Sequence, residues 1–276
     1  MPLDLTPEGQ SVGSARLPFT EQIDFFRRKL NLPSDRWDDI QRSAHDRGFI
    51  VAGAQKADLL QDMKDAVDRA IADGTTLERF RADFEEIVAR NGWHGWTGED
   101  SEAGRAWRTR TIYMTNLATS YSAGRLRQLR DPDLKRLRPY WLYKHSDSVL
   151  HPRPLHVSWN GLTLPAEHPW FKTHYPPNGW GCQCRVIAVS RAQAVRMGGR
   201  IAEAAPDDGE DPKTGLPAGI DKGFDYMPGD RADSSLADLV REKLVRLTPR
   251  IRAALEAYVQ APLSRLRERG RGRGEP

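Results

Sequence analysis

Two cysteines are the only ones among 276 residues. They sit one residue apart, as Cys182 and Cys184, in the segment Tyr175–Val186, YPPNGWGCQCRV. Five of the seven histidines, His145, His151, His156, His168 and His174, crowd just upstream. Thiolate and imidazole are the ligands zinc takes in structural sites. A Cys-x-Cys pair on extended backbone turns both side chains to one face. His156, His168 or His174 could then complete a tetrahedron, with Cys182, Cys184 and His156 as the leading set. A disulfide between residues two apart would be strained. The plainer reading is that the cysteines pack as small apolar residues while the histidines bond loop carbonyls.

The same residues allow an enzymatic alternative. A cysteine hydrolase could pair Cys182 with a histidine base and Asp147, and a metal-dependent nuclease could use His156, Cys182 and Cys184. Against both, Asp147 and Glu167 are the only acids in residues 140–190, and nothing places Cys182 at a helix N-terminus, where its pKa would fall. The expectation is that the chain is not an enzyme.

The elements that must position these residues change character along the chain. Residues 1–19 read as an extended arm interrupted by Pro2, Pro7 and Pro18. Residues 20–98 read as helical: EQIDFFRRKL capped by Thr20, DRWDDIQRSAHDRG, a third helix with Leu59, Leu60, Met63, Val67 and Ile71 on one face, and a fourth with Leu77, Phe80, Phe84, Ile87 and Val88. A long helix is expected from about Ser101 to Arg130, with Trp107, Thr111, Met114, Ala118 and Tyr121 as its buried stripe. YWLYKH and RVIAV read as strands, joined by a Pro-rich loop region over 147–181. Residues 204–235 read as a surface excursion, and a last amphipathic helix runs from about Leu236 to Tyr258. The fold class is α+β: a helical N-terminal region, then a small sheet carrying long Pro/Gly-rich loops, then a C-terminal helix.

Composition narrows the partners. No apolar run approaches the roughly 20 residues that span a bilayer, and the N-terminus lacks the pattern of a signal peptide. No membrane is therefore expected, and action in the cytoplasm or in something assembled there is. Formal net charge is +4, but the tail carries Arg265, Arg267, Arg269, Arg271 and Arg273, the last three with glycine spacing. Such an arm suits non-specific contact with nucleic acid.

Four motifs in order, RTRTIYMTNLATSYSAGR (108–125), RPLHVSWNG (153–161), HPWFKTHYPPNGWGCQCRV (168–186) and GFDYMPGD (223–230), together resemble the phage Mu protein F-like family. These are minor head, or head morphogenesis, proteins of tailed phages and prophages. The resemblance carries family positions onto Thr115, Asn116, Tyr121, Gly124 and Arg125; onto Arg153, Pro154, His156 and Gly161; and onto Pro176, Pro177, Asn178, Gly179, Trp180, Gly181, Cys182 and Cys184. It places a Mu F-like domain at 101–230 and a helix with basic tail at 231–276. It implies partners among portal and capsid or scaffold proteins, contact with double-stranded DNA, and a place in the host cytoplasm during assembly and then in the virion head. Gln183 stands where the family often has arginine. The acid that commonly precedes the family arginine would here be Asp147.

Overall fold

The computed structural model describes residues 18–232, which fall in one compact unit. The arm before residue 18, the helix expected from Leu236 and the arginines from Arg265 lie outside the described residues. Within them the fold is α+β, with two large apolar cores and a small cluster of Leu142, Val189 and Ala194.

Helix α1 (Thr20–Arg27), α2 (Ala57–Ala72) and α3 (Leu77–Asn91) build the first core with the N-terminal half of α4 (Glu102–Leu129). Leu59, Leu60, Met63 and Val67 from α2 meet Phe80, Phe84 and Ile87 from α3. The apolar spacing of both helices therefore lands on a real interface. Thr76 caps α3 by accepting from the Arg79 N–H, and Gly92 ends it in the left-handed region at φ 55°. Thr20 lies inside α1 rather than capping it, and the helix stops at Arg27. The helix expected over 35–48 does not form. There the Asp39 carboxylate accepts from the Asp35 and Arg36 N–H groups, competing with helical bonding as short acids do. Only a 3-10 turn, Arg42–Asp46, remains. Flanking it, β1 (Leu30–Asn31) pairs in parallel with β2 (Gly48–Phe49).

The stripe expected to be buried on α4 is not its buried face: Trp107 is 53% exposed and Tyr121 is 41% exposed. The buried side is made instead of Arg108, Thr109, Thr119, Ser120, Ser122 and Gly124 among others. Mostly small side chains let α1 approach closely, and the approach outweighs the bulk of the aromatic stripe. At Gly124 an added Cβ would lie 2.7 Å from the Gln22 backbone nitrogen. The Gln22 side-chain amide donates to Ser120 Oγ at 3.0 Å, and Gln128 donates to Glu21 at 3.0 Å.

The second core surrounds a four-stranded sheet ordered β5-β3-β4-β6. Strand β3 (Tyr140–Lys144) is antiparallel to both β4 (Leu162–Pro165) and β5 (Arg185–Val189), while β4 pairs in parallel with β6 (Arg200–Ile201). The supposed loop region between β3 and β5 contains β4 and two short helices, α6 (Pro154–Ser158) and α7 (Phe171–His174). Two further helices flank the sheet: α5 (Pro132–Leu137), capped by Asp131, and α8 (Arg191–Arg196), closed by a Ser190/Gln193 capping box. Residues 204–232 are not a mere surface excursion, because Ile220, Phe224 and Met227 are buried in this core. Among the described residues no helix is long and apolar enough to cross a membrane.

One buried cation carries a measurable cost. Lys29, 4% exposed, has its amine pulled down to about 8 by burial, against the ordinary 10.5. Asp46 and the Phe25 ring, 5.1 Å away, compensate in part. The folded value lies below the unfolded one, so the charged amine penalises folding at pH 8 and below. The penalty fades as pH rises from about 8 to 10.5. The gap corresponds to about 3 kcal/mol before those attractions are lost. Lys29→Met is expected to stabilise the fold at pH 7 by about 1 kcal/mol net. It should also abolish the rise in stability between pH 8 and 10, as read by urea unfolding across that range.

Candidate metal centre

Three polar side chains meet inside the second core. The Cys182 and Cys184 Sγ atoms and a ring nitrogen of His156 all lie within 4.8 Å of one another, and all three residues are buried. His156 reaches them from α6, which Pro154 opens at its first position. Its Nδ1 is 3.7 Å from Cys182 Sγ and 3.8 Å from Cys184 Sγ. The other ring nitrogen, Nε2, is 2.8 Å from the Gly219 carbonyl. A carbonyl can only accept, so Nε2 carries the proton and the Nδ1 lone pair faces the sulfurs. Trp159 stacks on the same imidazole at a 5.2 Å centroid distance.

His145, just past the end of β3, brings its own Nδ1 to 3.5 Å from Cys184 Sγ. Its backbone N–H donates to Asn160 Oδ1 at 3.1 Å. The other two histidines weighed as ligands point elsewhere. His174 Nδ1 is 3.0 Å from the Trp170 carbonyl and the ring stacks on Trp170, with burial pulling it down to about 4. His168 Nδ1 accepts from the Trp170 N–H.

The two thiols are electrostatically unlike. Mutual interaction of the two sulfurs pulls Cys184 down to about 7 and pushes Cys182 up. Cys182 is 5% exposed and is followed by strand β5, not by a helix start. Asp147, the acid required by a hydrolase triad, is 85% exposed and faces Lys144 at 3.9 Å.

Asp147 is not the partner of Arg153 either. Asp221 takes that place: its Oδ2 accepts from Arg153 at 2.6 Å and from the Trp180 N–H at 2.8 Å. The Asp221 N–H in turn donates to the Asn178 carbonyl at 3.0 Å. At Gly179 a Cβ would fall 2.3 Å from that Oδ2, so only glycine leaves room for the clamp. Asn178 Oδ1 accepts from the Tyr143 hydroxyl at 2.9 Å, and Pro176 and Pro177 are buried beside it. Trp180 lies edge-on to Trp37 and Phe224. Gly161, at φ 81°, donates to Tyr143 and accepts from Arg200, which ties α6 to the sheet. Gln183 accepts from the Ser148 hydroxyl at 3.0 Å.

The helix motif adjoins the cysteine turn, with Thr115 facing Pro177, Gly179, Gly181 and Cys182 across a small pocket. Thr115 and Asn116 line a cavity of about 120 Å³ together with Lys29, Arg108 and Lys222. Tyr121 meets Phe19 edge-on, Gly124 seats α1, and Arg125 bonds Gln128. Sequence reasoning missed Asp221, Gly219 and Trp159. The first two lie just upstream of the quoted GFDYMPGD motif and outside it, while Trp159 lies inside RPLHVSWNG.

The description "Phage Mu protein F like protein" matches residues 61–187. Over 287 aligned residues the chain is 31% identical to protein F of Escherichia phage Mu, whose name refers to capsid assembly; the alignment covers 93% of this chain and 63% of that protein. It is 36% identical over 191 residues to the Mu-like prophage FluMu F protein of Haemophilus influenzae, covering 67% of this chain and 44% of that one. The chain thus spans less than two thirds of the length of either relative. No solved structure matches it. The resemblance is thus borne out over residues 61–187, a phage Mu protein F-like region that holds three of the four motifs.

Proposed function

We propose that this chain acts in phage head morphogenesis, as a minor head component assembled beside the portal in the host cytoplasm and retained in the virion head. The observation that carries the reading is the 31% identity with phage Mu protein F over 93% of the chain. The site supports an architectural role over a hydrolytic one. Its sulfurs are buried, its acid candidate Asp147 points to solvent, and its polar atoms tie chain segments to one another. A secondary, sequence-independent contact with double-stranded DNA rests on the arginines from Arg265 to Arg273.

Quantitative mass spectrometry of purified particles, with empty procapsids and DNA-filled heads kept apart, tests the role. A few copies per particle in both are expected, and absence from both would defeat the assignment. Removing Arg265 to Pro276 is expected to weaken duplex binding and reduce the slope of log affinity against log salt by up to about 4.5, at about 0.9 per phosphate contact. An unchanged slope would remove the DNA contact while leaving the assembly role standing.

A further inference from the structure

We propose that Cys182, Cys184, His156 and His145 hold one tetrahedral zinc ion, with His145 as the fourth ligand and with the ion fastening α6 to the adjoining ends of β3 and β5, which already pair at Lys144 and Arg185. The argument is first one of distance. Zinc bonds of about 2.3 Å to sulfur and about 2.0–2.1 Å to nitrogen, set at tetrahedral angles, place ligand sulfur and nitrogen about 3.6 Å apart. The three close sulfur–nitrogen separations are 3.5, 3.7 and 3.8 Å. The His156 nitrogen and both sulfurs lie within 4.8 Å of one another, as three ligands of one ion must, while His145 stands outside that trio and meets only Cys184.

The second argument is orientation. A histidine ligand needs its lone pair toward the metal and its remaining N–H held by an acceptor, commonly a backbone carbonyl. His156 already has that arrangement, Nδ1 toward both sulfurs and Nε2–H on Gly219. The third is charge. Two thiolates and two neutral imidazoles around a divalent ion sum to zero, so the buried centre adds no net charge to the core. The two thiol protons leave to solvent as the metal enters. His145 comes from the end of β3, His156 from α6, and the cysteines from the turn before β5. His145 reaches the trio through Cys184 and needs only to swing toward the shared centre.

The full-length chain, loaded with zinc and passed over a chelating resin, is expected to retain one zinc per chain by elemental analysis. X-ray absorption of that sample should show two sulfurs and two imidazoles. In the cobalt(II) form, tetrahedral visible bands should accompany a thiolate-to-metal charge-transfer band. His145→Gln is expected to lower zinc affinity at least ~10-fold. No retained metal, or cobalt bands without the thiolate transition, overturns the site. A single imidazole in the absorption spectrum, or unchanged affinity in His145→Gln, overturns the four-ligand assignment. The spectrum of the unaltered chain decides the point even if the variant does not fold.

Discussion

Trp159→Ala is expected to destabilise the fold by about 3–5 kcal/mol, the range for deleting a large buried aromatic. Trp159 is 1% exposed and sits between the rings of Tyr143, His156, Trp170 and His174, at centroid distances of 5.7, 5.2, 5.5 and 5.1 Å. Each of these neighbours loses a packing partner, and so does the backbone at Gly219, where even a Cβ would come within 2.9 Å of the indole. The indole N–H also donates to Asp208 at 2.6 Å, and that bond is lost as well. The cavity cannot close easily, because β3, α6 and α7 all present rings to it and none can move without disturbing the sheet. Urea unfolding followed by circular dichroism reads the effect, since fluorescence is altered by the substitution itself. Trp159→Phe should recover more than half of the loss. A cost below about 1 kcal/mol for the alanine variant would show that this ring is not the hub of the second core.

The other large effect belongs to the helix motif. Gly124→Ala is expected to cost about 2 kcal/mol, although alanine favours a helix by about 1 kcal/mol over glycine. The added methyl would meet Gln22 backbone at 2.7 and 3.0 Å and the Phe19 ring at 2.9 Å. Backbone cannot rotate aside as a flexible side chain would, so α1 must lift from α4. Overpacking of that kind costs about 1–3 kcal/mol, and here it falls at or beyond the upper end. Lifting α1 also loosens the Gln22–Ser120 bond and exposes part of Phe26. Hydrogen exchange should therefore rise in α1 well before it rises in α3. A variant as stable as the parent, with α1 equally protected, would refute the close-approach account of this motif glycine.

How far the sequence foretold the molecule differs between regions, for physical reasons. Helices α2 and α3 were legible because their apolar spacing matches one buried face each, and the extent of α4 because no proline stands between Ser101 and Pro132. Strands β3 and β5 were legible as aromatic or β-branched runs between turn residues. The stretch 35–48 misled because its apolar residues have helical spacing while Asp39 captures the backbone in a turn. The face of α4 misled because hydrophobicity was taken as the sign of burial, whereas the contact with α1 is selected by smallness at Ser120 and Gly124. Short elements such as α6, α7 and β4 leave too few residues for any period to show. Within the site, Cys182, Cys184 and His156 stood out by residue type. Asp221 did not, since no local pattern reveals that a carboxylate will meet an arginine from far upstream.

The clamp also has an order in time. Gly219 and Asp221, which hold His156 and the Asn178–Trp180 turn, follow the cysteines by roughly 40 residues. At a synthesis rate of about 5–20 residues per second the interval is a few seconds. During it β3, β4 and both thiols are already made and β5 and β6 are being added, but the carbonyl that orients His156 and the carboxylate that closes the turn are not. The nascent chain therefore presents two adjacent thiols in an unfinished setting, and the last described segment to be translated is the one that seals them.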